Sequence, residues 1–224
     1  MLGIISDVHG NYPALCAVLN ELDQLGCNKI ISLGDITGYY CMVKECIHEF
    51  QERKIVNILG NHDYYIIHNK KCERSYTANI CLDYQRNILD ESELAWLRKS
   101  PLIIQSENMQ MVHGGWNNYI DEYLTDFSFL NNKSETTLYI SGHTHIQRYI
   151  EGEYAMYVNP GAVGQPRDYL STAAFAVLNN KNEVILHRVP YDIDRIVFEM
   201  KKVGFADRIA SCLYYGMKIG EDGR

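Results

Sequence analysis

Five short clusters of Asp, Asn, His and Gly punctuate this 224-residue chain between residues 7 and 145. They are Asp7-Val8-His9-Gly10-Asn11, Gly34-Asp35, Gly60-Asn61-His62-Asp63, His113-Gly114-Gly115 and Gly142-His143-Thr144-His145. Imidazole and carboxylate together suit zinc, manganese, iron and related divalent ions. Asp7 and His9 are two residues apart, as are His143 and His145, so on a turn leaving a strand both members of a pair face one ion. Glycine beside each cluster lets the backbone turn tightly and come close to an ion. Roughly seven ligands exceed one site but suit two ions sharing a carboxylate, an arrangement that clamps the attacking and leaving oxygens of an in-line displacement at phosphorus. Asp, Asn and Gly also follow strands for conformational reasons alone, but five such clusters in one chain are too many for that account.

The elements around the clusters must bring them together. Leu2–Ser6 is a short apolar strand. Asn11–Leu25 is helical, with Leu15, Val18, Leu19, Leu22 and Leu25 on one face and Gly26 as its stop. Lys29–Leu33, the helix Val43–Arg53 and the strand Ile55–Leu59 continue the alternation, which means parallel β-α-β units. In such a sheet the loops beyond the carboxyl ends of the strands converge on one crevice. Tyr64 to about Lys99 reads as mostly helical, and Leu102–Gln105 with Met109–His113 as a hairpin. Thr137–Ser141, Ile146–Ile150, Tyr154–Asn159, Ala173–Leu178 and Val184–Val189 are further strands, with turns at Gly152 and at Asn179-Asn180-Lys181-Asn182. No linker or repeat interrupts the chain. It is therefore expected to form one domain over residues 1–224 with two sheets, residues 191–215 adding one or two amphipathic C-terminal helices.

Composition bounds the function. At 46% hydrophobic and 22% charged the chain is ordinary globular material, which excludes wholesale disorder and a disulfide miniprotein. Lys and Arg number 21 against 28 Asp and Glu, a net charge of −7, so a broad basic face for duplex nucleic acid is not expected. A compact anion is not excluded, because divalent ions would concentrate positive charge at one point. The seven cysteines are odd in number and lack C-x-x-C spacing, no apolar run reaches the ~20 residues of a membrane span, and no leader is evident. The expectation is a cytoplasmic protein without a membrane partner.

In this order, Asp7-x-His9, Gly34-Asp35, Gly60-Asn61-His62-Asp63, His113-Gly114 and Gly142-His143-x-His145 resemble the motifs of the calcineurin-like metallophosphoesterase superfamily. The run from Asn159-Pro160-Gly161 to Pro166-Arg167, and Pro190-Tyr191-Asp192-Ile193-Asp194 with the helix after it, resemble its small bacterial branch related to diadenosine tetraphosphatases and serine/threonine phosphatases. The resemblance implies an α/β fold, a four-layer α/β/β/α sandwich of two mixed sheets with the metal site at the strand C-terminal ends. It implies two divalent ions, manganese favoured over iron, zinc, nickel or cobalt. One would take Asp7, His9, Asp35 and His145, the other Asp35, Asn61, His113 and His143, with a bridging hydroxide attacking phosphorus. His62 is implied as the general acid at the leaving-group oxygen, polarised by Asp63; a histidine suits that role near neutral pH.

The implied function is hydrolysis of a small phosphoester, either a phosphodiester or a nucleotide such as a dinucleoside polyphosphate. A serine/threonine phosphoprotein phosphatase is the alternative within the fold. That subfamily carries Val-Asp-Arg-Gly after its Gly-Asp pair, where this chain has Ile36-Thr37-Gly38-Tyr39. A non-catalytic scaffold is a third reading, opposed by the presence of His62 and the full ligand set. A repair nuclease is a fourth, opposed by the acidic balance. Asn11 either orients a ligand or phosphate or caps the helix that begins there. Arg167 either grips phosphate bidentately or forms a structural bridge. Tyr39, Tyr40, Tyr64, Tyr65 and Trp116 flank the motifs, where they stack on a base or simply pack.

Overall fold

A computed structural model describes residues 1–181 and 183–221, so Asn182 of the expected turn lies outside the described residues. The chain runs β1 (Leu2–Ile5), α1 (Tyr12–Gln24), β2 (Lys29–Ser32), α2 (Val43–Glu52) and β3 (Val56–Asn57). Then come α3 (Asn61–Ile67), α4 (Tyr76–Ile88), α5 (Glu91–Leu97), β4 (Ile103–Gln105) and β5 (Met109–Val112). It ends with β6 (Leu138–Ile140), β7 (Arg148–Glu151), β8 (Met156–Asn159), β9 (Ala173–Leu178), β10 (Val184–Val189) and α6 (Ile193–Lys202).

The strands form two five-stranded mixed sheets, ordered β10-β9-β1-β2-β3 and β4-β5-β6-β8-β7. Each contains three adjacent parallel strands, β1-β2-β3 in the first and β5-β6-β8 in the second, flanked by antiparallel neighbours. Strand periodicity sorts the side chains between layers. Ile4 and Ala176 of the first sheet meet Met111, Leu138, Ile140 and Val158 of the second in a core between the sheets. Ile5, Phe175 and Val177 point the other way, into the helices. On the far face of the second sheet Tyr157 and Tyr139 are covered by Trp116, Phe127, Phe129 and Leu130. The cover there carries a 3-10 turn, Ser128–Asn131, so this fourth layer is thinner than the helical one.

Local signals explain the element ends. Asn11 caps α1 by accepting from Ala14 N, and Leu15, Val18, Leu19 and Leu22 are its buried stripe. Gly26, at φ +74°, takes the left-handed conformation that stops the helix. Asp90 and Glu93 close a capping box on α5. The third strand is shorter than the expected Ile55–Leu59, because Leu59 N turns away to Pro101 O. In the C-terminal segment only Ile193–Lys202 is α-helical; past Gly204 (φ +92°) the chain makes two 3-10 turns, Asp207–Ile209 and Ser211–Tyr215. All seven cysteines are free thiols, six of them buried. Among the described residues no helix is long and apolar enough to cross a membrane.

Candidate metal centre

The motif clusters sit just past the C-terminal ends of the parallel strands. β1 is followed by Asp7 and His9, β2 by Asp35, β5 by His113 and β6 by His143 and His145; Asn61 and His62 open α3 just beyond β3. Five of these residues hold positive φ: Asp7 (55°), His9 (52°), Asp35 (57°), His143 (65°) and His145 (61°). Among the described residues only three other non-glycine residues do so, Lys54, Asn69 and Tyr169. Such conformations cost energy and persist where the surroundings over-determine them, typically at functional sites. Here cross-loop hydrogen bonds impose them: Asp7 N to Gly34 O at 3.0 Å, His9 N to Asp35 O at 2.9 Å, and Gly164 N to Asp7 O at 2.9 Å. Gly60 leaves no room for a Cβ, because the Asp35 carboxylate and backbone nitrogen fill that space.

The seven expected ligands are all buried. Two of the groups close enough to hold an ion are Asp7, His9 and His145, and Asp35, His113 and His143; a third, His9, Asp35 and His62, overlaps both. His145 Nε2 lies 3.3 Å from Asp7 Oδ1 and 3.1 Å from His9 Nε2. His113 Nε2 lies 3.3 Å from Asp35 Oδ2 and 3.2 Å from Asn61 Oδ1. Asp35 Oδ2 is also 3.8 Å from His9 Nε2, which places this carboxylate between the groups. Three of the histidines have their other nitrogen engaged by a carbonyl: His9 Nδ1 with Thr37 O (2.7 Å), His113 Nδ1 with Leu33 O (2.9 Å) and His145 Nδ1 with Gln165 O (2.7 Å). Donation from Nδ1 fixes the tautomer and leaves the Nε2 lone pair facing the centre, the usual orientation of a metal-binding histidine.

Electrostatics divide the histidines. Burial holds His9 and His145 well below the ordinary histidine range, hence in the neutral, ligating form. Burial alone would push His113 down, but Asp35 beside it lifts it to about 9. Burial opposes ionisation of Asp35 as well, yet His113, His62 and His9 together hold it below the usual carboxylate range. Asp7 Oδ1 and His143 Nε2 are buried without a hydrogen-bond partner. Buried polar atoms are normally paired. These unsatisfied donor atoms, in a mixed imidazole and carboxylate set, fit divalent cations.

The remaining candidates divide. His62 lies in the crevice, its backbone N donating to Asp35 Oδ1 at 2.8 Å and its ring 4.9 Å from that of His9. Its Nδ1 is buried without a partner, and burial lowers its pKa to about 4. Asp63 is spent elsewhere than on the His62 ring. Its Oδ1 accepts from Thr37 N and Oγ1, each at 3.0 Å. Its Oδ2 accepts from Asp35 N (3.0 Å), Asn57 Nδ2 (3.1 Å) and Gly60 N (3.3 Å). The carboxylate thus holds the Asp35 loop against the start of α3. Asp63→Asn replaces an acceptor oxygen with a donor that faces other donors. It is expected to cost about 2–3 kcal/mol, a fall in Tm of roughly 4–12 °C for a chain of this size, readable by calorimetry. An unchanged Tm with reduced turnover would instead point to the expected partnership with His62.

Asn11 caps α1 and donates to Gly164 O (2.8 Å) and Tyr191 Oη (3.4 Å), so its amide tethers the 160s loop and does not line the crevice. Arg167 does line it, with its guanidinium bonded to Gln165 Oε1 and Tyr39 Oη and lying 5.6 Å from the Tyr39 ring centre. The crevice holds about 400 Å³. Its walls add Cys72, Arg74, Tyr123 and Lys218, none singled out by the motifs. They come from loops with no strand-end signature, and only the folded chain brings them to the site. Arg74 pairs with Asp121, whose Oδ1 is 3.6 Å from His143 Nε2.

Residues 1–183 match the family model for the calcineurin-like phosphoesterase superfamily domain. The uncharacterized protein MJ0912 of Methanocaldococcus jannaschii is 28% identical over 246 residues, spanning 96% of this chain and 98% of its own. The crystal structure of a metallophosphoesterase from Sphaerobacter thermophilus superposes with TM-score 0.83 at 28% identity, covering 96% of this chain and 99% of that one. Hypothetical protein PH1004 from Pyrococcus horikoshii OT3 gives TM-score 0.84 at 21% identity over 97% of this chain and 100% of its own, a likeness of fold.

Proposed function

The chain belongs to the calcineurin-like phosphoesterase superfamily and is a metal-dependent phosphoester hydrolase, and on that premise we propose that it hydrolyses a small phosphoester at a dinuclear centre. The observation that carries the proposal is the placement of the Asp35 carboxylate between two buried ligand groups. On this reading Asp7, His9, Asp35 and His145 hold one ion, and Asp35, Asn61, His113 and His143 the other. Two ions held there supply Lewis acidity toward the phosphoryl oxygens and a water made acidic enough to act as nucleophile. The protein groups do the rest. Backbone bonds fix the ligand loops; His9, His143 and His145 are held neutral with their Nε2 lone pairs available, whereas His113, lifted by Asp35, sheds a proton when it ligates. His62 stands in the crevice with an uncommitted Nδ1; burial holds it near about 4 in the free protein, so it serves as proton donor to the departing oxygen once the bound phosphoryl anion favours its charged form. Arg167 and Lys218 offer positive charge along the same walls, Arg74 being paired with Asp121, and this favours a substrate with anionic oxygens beyond those held by the ions. A phosphodiester or a nucleotide such as a dinucleoside polyphosphate meets these terms, and manganese is the favoured ion. The whole chain acts as one domain, residues 191–215 buttressing α1.

Two measurements test this. Metal content should rise to two ions per chain on Mn²⁺ loading. Chelation should then lower Tm by roughly 10–20 °C, since saturation at a hundred times Kd is worth about 2.7 kcal/mol for each of the two ions. In parallel, the loaded protein should turn over an aryl phosphodiester or a dinucleoside tetraphosphate faster than an aryl phosphomonoester or a phosphopeptide. Preference for the phosphopeptide would reverse the substrate assignment, and no turnover by protein holding two metals would favour the scaffold.

A further inference from the structure

The metal crevice does not end at the ligands. It opens into a second cavity of about 210 Å³. Tyr123, Thr144 and Ile146 line both spaces. Deeper in, the walls are Leu124, Phe127 and Tyr157, with the Arg148 guanidinium 5.6 Å from the Phe127 ring centre. The mouth abuts the metal centre, since the Tyr123 ring lies 4.2 Å from that of His143. Ile146 and Tyr123 are 37% and 47% exposed there, apolar surface beside a site built for ions. The opposite end of the crevice is different. Tyr39, Ser75, Arg167 and Lys218 line a separate recess that shares no residue with the aromatic slot.

We propose that this slot holds a planar aromatic substituent of the phosphoester, an aryl group or nucleobase, and so sets the enzyme's specificity. The proposal rests on the phosphoesterase reading above and extends it to the part of the substrate that is not phosphate. Size supports it: an apolar cavity of about 150 Å³ takes benzene, so the slot has room for one fused ring system. Chemistry supports it too. Aromatic walls and a guanidinium favour a flat π-surface. Asn159, the amide in the slot, is spent within the protein: its Nδ2 donates to Gly142 O and Thr144 Oγ1, while its Oδ1 accepts from Gly161 N. The slot therefore selects mainly by stacking and shape.

The test is equilibrium binding by calorimetry of two phosphonates to the Mn²⁺-loaded full chain, 2-naphthylmethylphosphonate and methylphosphonate. Neither carries an ester bond, so turnover plays no part. Wild-type protein should bind the naphthyl compound about tenfold or more tighter, as expected for one stacked ring system. Phe127→Ala removes an aromatic wall that the metal crevice does not share, and Thr125→Trp fills the slot from an exposed wall position. Each should bring the ratio to about twofold or less, with methylphosphonate affinity unchanged. A wild-type ratio near one, or a ratio that survives both substitutions, would overturn the slot. If methylphosphonate fails to bind while the naphthyl compound binds and is lost in both variants, the phosphoesterase reading falls and the slot stands. If neither compound binds, the slot falls as well.

Discussion

Asp35→Asn is expected to lower kcat/KM by at least ~10³-fold, and bound metal from two ions per chain to one or fewer. The substitution is nearly isosteric. An Asn there keeps the Oδ1 that accepts from His62 N at 2.8 Å, so the loop carrying Thr37 and the start of α3 keep their geometry. What disappears is the negative charge between the two ligand groups, at 3.8 Å from His9 Nε2 and 3.3 Å from His113 Nε2. The size of the effect follows from that position. Removing a group that merely orients a ligand costs about 10–100-fold in affinity or activity; removing a carboxylate placed between both ligand groups should affect both at once. The chelated protein should respond differently. Asp35 and Asp7 are like charges that raise each other's cost of ionisation, so neutralising one relieves repulsion while forfeiting the attraction of His113. The Tm of the chelated variant should therefore stay within a few degrees of wild type, whereas its rise on adding Mn²⁺ should vanish. Metal content by elemental analysis and two thermal scans read both halves. Full activity with two ions retained would remove Asp35 from the bridging position.

The site is visible in the sequence for a local reason. A ligand set on strand ends leaves a local trace, because each loop needs Gly for space and Asp, Asn or His for coordination within a few residues. Gly60 beside the Asp35 carboxylate is one such case. The strands themselves were legible from apolar runs, and α1 from its 3.6-residue stripe and Asn11 cap. Other features were not. The third strand shrinks to Val56–Asn57 because a long-range bond from Leu59 N to Pro101 O draws the chain out of the sheet, which no local pattern encodes. Tyr191–Tyr215 reads in sequence as one or two amphipathic helices, but Gly204 and packing leave one helix and two 3-10 turns. Asp63 sits beside His62 in sequence, yet its carboxylate reaches across to Thr37 and Asp35. Adjacency along the first turn of a helix sends neighbouring side chains about 100° apart, so sequence proximity was a poor guide to that partnership. The crevice walls, Arg74, Tyr123 and Lys218, have no shared pattern at all. They are set by tertiary structure, which is why substrate preference was the least legible property.

His62→Asn should lower kcat by about 10²–10⁴-fold on a phosphodiester with an alkoxide leaving group, the usual contribution of a positioned acid. On an ester that releases an acidic nitrophenol the loss should be about tenfold or less, because that oxygen departs without needing a full proton. The contrast matters more than either number. His62 could matter in three ways: as proton donor, as a metal ligand, or as part of the wall that shapes α3. As donor, its loss scales with the basicity of the leaving group and leaves metal content at two. As ligand, its loss lowers metal content and affects all substrates alike. That possibility has a structural basis, since His9, Asp35 and His62 themselves form a group close enough to hold an ion. As wall, its loss lowers Tm and raises KM without regard to leaving group. The geometry favours the first. The His62 ring packs against His9, Tyr39 and Tyr65 at centroid distances of 4.9, 5.0 and 5.9 Å, so it is fixed in place by contacts that an Asn would only partly lose. Its Nδ1 has no hydrogen-bond partner. The ring is thus held by packing, while its polar atoms are not committed to structure. A plot of log kcat against leaving-group pKa should be shallow for wild type and steep for His62→Asn. Parallel lines would take the proton-donor role away from His62.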